Sequence, residues 1–114
     1  MSLSMTPRML EAAYEYLRTT PPFRGWGLPD GDMVEFWVSR SLSHYGLYEW
    51  TGDTHRIRIS NRIANSTPRL IVTMAHEMIH EKQMIMVNGV DHGVWFQRMA
   101  DRVCKIHGFD RETF

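Results

Sequence analysis

Ser66-Thr67-Pro68-Arg69-Leu70-Ile71-Val72-Thr73-Met74-Ala75-His76-Glu77-Met78-Ile79-His80 decides how this chain is read. Asn65 to Thr67 supply side-chain oxygens that can cap a helix, and Pro68 suits the first helical position because its missing N–H has no partner there anyway. No breaker follows until Asn88-Gly89, so a helix is predicted over about Pro68 to Val87. At about 100° per residue, His76 and His80 leave that helix side by side, one turn apart, and can grip one ion. Glu77 lies a quarter-turn round from His76, within reach of a water on that ion without being obliged to ligate it. Ile71, Met74, Ala75, Met78 and Ile85 form one broad apolar face, and Val72, Ile79, Met86 and Val87 carry apolar character onto its flanks. Such a helix is expected to be central and buried. Two histidines and a glutamate buried there need partners, and one divalent cation satisfies both imidazoles at once.

Upstream, Thr6-Pro7 repeats the cap signature, and Leu10, Ala13, Tyr14 and Leu17 recur at helical spacing, predicting a first helix from about Pro7 to Arg18. Thr19 to Asp32 holds three prolines and three glycines and reads as a long loop. Three short strands follow, Met33–Val38, His44–Trp50 and His55–Ser60; the last alternates, with Ile57 and Ile59 on one face and Arg56 and Arg58 on the other. Downstream, Phe96, Met99, Ala100, Val103 and Cys104 form an apolar stripe over a third helix from about Gly93 to His107. The order α-β-β-β-α-α predicts an α+β domain, a small three-stranded sheet backed by three main helices. Met1 to Ser4 precede a second start-like Met5, so residues 1–5 read as a tag or disordered start and residues 6–114 as one domain.

The bulk properties limit what this domain can be. With 114 residues, 43% hydrophobic and 23% charged, it can bury a core without a structural metal or disulfides, so a metal would be there for chemistry. The 13 basic and 13 acidic residues cancel, which gives no whole-surface field for nucleic acid. A single cysteine, Cys104, excludes an intrachain disulfide or a cysteine zinc ribbon and fits a reducing setting. No apolar run spans a bilayer and no signal peptide is visible, so a soluble cytoplasmic protein with no membrane partner is expected.

A catalytic zinc site needs three protein ligands and an open position. His44, His55, His92, His107 and Glu112 are the candidates for the third donor. His92 is the best placed: it stands twelve residues after His80, at the start of the third helix, on the stripe expected to pack toward the second. Glu112, close to the last residue, is a poorer anchor.

His76-Glu77-Met78-Ile79-His80, a spacer, then His92-Gly93-Val94-Trp95-Phe96 and a closing amphipathic helix resemble the SprT-like family of metallopeptidases. The strand Ile57-Arg58-Ile59-Ser60 turning into the active helix is similar too, and the resemblance covers nearly the whole chain. It implies a minimal zincin fold and zinc-dependent hydrolysis of peptide bonds in protein substrates, with His76, His80 and His92 as ligands and Glu77 as general base. Where the family often has Pro-Glu between the glycine and the phenylalanine, this chain has Val94-Trp95, and it shows no zinc ribbon or DNA-binding extension after the domain.

Three neutral imidazoles leave zinc its double charge, which lowers the pKa of a bound water to about 7. Glu77 would take that proton and pass it to the leaving amine. Tyr45, Tyr48, His55 and His107 are the candidate donors to the oxyanion. The alternative is a metal-containing module without catalytic activity that binds DNA or protein. Its motive is the cluster Arg56, Arg58, Arg62 and Arg69 in an acid-free stretch, although a solvated strand face accounts for it as well.

Overall fold

The computed structural model describes residues 4–114. Met1 to Leu3, part of the expected tag or disordered start, lie outside the described residues, whereas Met5 packs against the core. Three α-helices, α1 (Pro7–Arg18), α2 (Thr67–Val87) and α3 (Val94–His107), accompany three strands, β1 (Val34–Ser39), β2 (Gly46–Trp50) and β3 (His55–Ser60). The α+β class and the order read from the sequence are those observed, and the arrangement is consistent with a small zincin-like domain.

The caps work as their residue types require. Thr6 Oγ1 accepts from Met9 N–H at 3.2 Å and Ser66 Oγ from Arg69 N–H at 3.3 Å, each ahead of a proline in the first turn. The α2 helix stops at Asn88, whose φ of 55° lies in the left-handed region that asparagine tolerates. Boundaries differ from expectation mainly before the sheet. Gly31–Met33 is a 3₁₀ turn, held where Glu15 Oε1 accepts the Gly31 N–H at 2.7 Å, so β1 begins one residue late. His44 and Tyr45 precede β2 instead of opening it.

The sheet is mixed, with order β1-β3-β2. β1 runs parallel to β3 and β2 antiparallel to it, which leaves β2 at an edge alongside α2. The core is continuous: Leu10, Tyr14 and Leu17 of α1, Ile57 and Ile59 of β3, Met74, Met78 and Ile79 of α2, and Val103 of α3 are all fully buried. One expectation for α2 fails at its end. Ile85, Met86 and Val87 are exposed, and Ile85 borders an open hollow that it shares with Trp50 and His55, so the buried length of the helix stops near Met84.

The outer sheet face carries its own charge neutralisation. Arg56 pairs with Glu35 and Glu49 at 3.3 and 3.2 Å, and Arg58 with Glu49 at 3.0 Å. Both guanidinium groups stack over the Trp37 ring, at 4.1 and 4.8 Å from its centroid. Two of the four arginines of the acid-free stretch, Arg56 and Arg58, thus have counter-ions on neighbouring strands.

Candidate metal centre

His76, Glu77 and His80 lie in the middle of α2, and the α2–α3 turn brings His92 to them. Nε2 of His92 is 3.3 Å from Nε2 of His76 and 3.1 Å from Nε2 of His80. Two nitrogens on one tetrahedral ion with bonds of about 2.0–2.1 Å sit about 3.3 Å apart, so this spacing suits a shared cation. The donor chemistry agrees. Neutral imidazole has one N–H. His80 directs Nδ1 at Gln83 Oε1, 2.7 Å away. His80 then turns the lone pair of Nε2 toward His92, whose own Nε2 faces His76 as well and, in a neutral ring, donates to at most one partner. A cation between the three rings resolves that conflict, and the three histidines can hold a metal ion.

His92 precedes α3 rather than opening it, since Gly93 is the cap residue, and His92 is exposed rather than packed inward. It reaches the site from the turn, with Gln97 Nε2 holding its carbonyl at 3.0 Å. Of the other candidate donors, Glu112 is exposed in the C-terminal 3₁₀ turn and outside the cluster. His107 is occupied with the Pro21 carbonyl at 2.8 Å, and His55 with the Tyr48 hydroxyl at 2.5 Å.

Burial sets the protonation of the site. His76 is pushed down to about 4, first by burial and then by repulsion from His80 and His92, which favours the neutral, ligating form. His80 is lowered too, mainly by burial. Glu77, 6% exposed, is raised to about 7 by burial, against which the backbone N–H of Tyr48 acts.

A cavity of about 230 Å³ opens beside these groups, lined among others by Tyr45, Gly46, Thr73, His76, Glu77 and Phe114. Of the four candidate oxyanion donors only Tyr45 lines it; Tyr48 and His55 bond each other, and His107 stacks on Phe109. The long Thr19 to Asp32 loop contributes no lining residue. It packs elsewhere, with Trp26 against Trp95 and its carbonyl taking Lys82 Nζ at 2.5 Å.

Gln83, Asp91 and Phe114 escaped the sequence reading. Gln83 had a signal, standing three residues after His80 on the same helical face. Phe114 had none, since its approach to His76, 5.3 Å between ring centroids, depends on how the C-terminal turn folds back.

No curated protein sequence matches this chain significantly. The profile of the SprT-like family matches residues 15–113, which takes in the whole histidine cluster, Glu77 and every strand. The chain therefore belongs to the SprT-like family.

Proposed function

We propose that this protein is a zinc-dependent endopeptidase that hydrolyses peptide bonds of protein substrates, with His76, His80 and His92 as metal ligands and Glu77 as general base. The observation that carries the reading is the convergence of three imidazole nitrogens next to a buried carboxyl at the wall of an open cavity. All-nitrogen, tetrahedral spacing favours zinc over harder cations that take oxygen ligands. Zinc held there supplies Lewis acidity toward a carbonyl and acidifies water.

The chain's own residues do the rest. His76 and His80 are kept neutral by burial, so both offer lone pairs near neutral pH. Glu77 takes a proton from the attacking water at its carboxylate and returns it to the leaving amide nitrogen. Tyr45, exposed at the cavity, offers a hydroxyl to the developing oxyanion. The cavity receives a side chain of an extended substrate segment. A cytoplasmic setting fits the lone, buried Cys104.

Purified protein should carry about one zinc per chain and cleave an unfolded protein such as casein. Cleavage should stop on chelation and return on adding zinc. Absence of zinc from protein refolded or purified with it present would overturn the reading.

A further inference from the structure

Gln83 is 4% exposed and lies one turn beyond His80. Its Oε1 is 2.7 Å from His80 Nδ1 and 3.4 Å from the Asp91 backbone N–H, and its Nε2 donates to Asp91 Oδ1 at 3.0 Å. The same Oδ1 accepts the Gly93 N–H at 3.0 Å. Asp91 and Gly93 flank His92, so one buried amide touches a ligand on α2 and the turn that presents the ligand from outside α2.

The polarity of this chain of bonds is determined at its far end. The Asp91 carboxylate has only acceptors, so Gln83 must face it with its NH₂ group. The Gln83 carbonyl then faces His80, and because a carbonyl only accepts, His80 must carry its proton on Nδ1. A neutral ring has no second proton, so Nε2 is left as a lone pair, 3.1 Å from Nε2 of His92. A leucine would fill the same volume, but it could set neither the tautomer nor the turn.

We propose that Gln83 is the positioning residue of the metal centre: its one side-chain amide holds His80 as the Nδ1–H tautomer and, through Asp91, fastens the turn that presents His92. This rests on the metal-site reading above, and the test separates the two.

The tautomer of His80 is read by nitrogen NMR on metal-free protein with ¹⁵N-labelled imidazole rings, and zinc affinity by competition with a chromophoric chelator. Wild type should show His80 protonated on Nδ1. Gln83→Leu and Asp91→Ala should each weaken zinc binding about 10- to 100-fold, the range for lost outer partners of a ligating histidine. Both should also admit the Nε2–H form. Asp91→Asn, which keeps an oxygen for the Gly93 and Gln83 donors, should stay near wild type. If Gln83→Leu does not fold, Asp91→Ala, at an exposed position, carries the test alone. An Nε2–H tautomer in wild type, or wild-type zinc affinity in both disruptive variants, overturns the proposal. Wild-type protein that binds no zinc overturns the metal-site reading instead, and the tautomer still decides whether Gln83 orients His80.

Discussion

A β-carbon on Gly46 would lie 2.7 Å from Cγ2 of Thr73, closer than carbon atoms approach without displacement. The same carbon would stand 3.2 Å from Cγ of Glu77 and 3.1 Å from the Arg58 carbonyl. The start of β2 is thus pressed against the face of α2 that carries the proposed base, and only a residue without a side chain permits it. Thr73 is itself buried, so its side chain has little room to move aside.

Gly46→Ala should therefore push β2 off α2. We expect a loss of about 1–3 kcal/mol in stability, the usual range for overpacking, together with reduced hydrolysis at unchanged zinc content. Thr73→Ser, by deleting Cγ2, should restore part of both in the double variant. Thermal melts and cleavage rates of wild type, the two single variants and the double variant decide it; a Gly46→Ala variant as stable as wild type would mean that the contact yields freely.

Glu77→Gln keeps shape and removes the base. Zinc content should stay near one per chain while cleavage falls on the order of 100- to 10,000-fold. Because the buried carboxyl resists ionisation, the amide should cost no stability above neutral pH. Loss of zinc with activity would put Glu77 on the metal.

The two schemes for the third ligand separate by metal analysis. His92→Ala should drop zinc well below one per chain, and Glu112→Ala should leave it unchanged. Since His92 is exposed, melting of the metal-free form should hardly move in either variant.

Glu81 gives a pH dependence whose sign can be worked out. It is fully buried, accepts from the Tyr14 hydroxyl at 3.1 Å, and its Oε2 has no hydrogen-bond partner, with His55 Nδ1 3.8 Å away. Burial raises its pKa to about 8, against the Tyr14 hydrogen bond. A carboxyl with a raised folded-state pKa contributes stability fully below its unfolded value, near 4.5, and loses it as pH rises toward 8. The effect is on the order of a few kcal/mol. Glu81→Gln should therefore gain on wild type in metal-free melts between about pH 5 and pH 9. A difference that stays flat would mean that Glu81 ionises beside a charged His55.

Much of this protein is local chemistry and could be read along the chain. The caps at Thr6 and Ser66, the stop at Asn88, the alternation from His55 to Ser60 and the one-turn spacing of His76 and His80 depend on residues within a few positions of one another. Backbone sterics and helical periodicity settle such features wherever the chain goes next. Even the burial of Met74, Ala75, Met78 and Ile79 in α2 follows from its own apolar pattern.

What only the tertiary structure decided depends on residues far apart in sequence. That β2 is the edge strand against Glu77, that Glu35 and Glu49 cancel the arginines of β3, and that Gln83 meets Asp91 all come from packing between elements. The exposed last turn of α2 makes the same point: Ile85, Met86 and Val87 have the hydrophobicity of a core, but the fold leaves them at the surface, Ile85 beside an open hollow lined by Trp50 and His55. His92 is the mixed case. Its spacing after His80 made it a candidate, but its approach to the other two rings is set by the turn that Asp91 and Gly93 close through the side chain of Gln83. A periodicity assigns a face to a residue; which partner meets that face is decided by the relative placement of elements, whose contacts are nonlocal and carry no sequence spacing of their own.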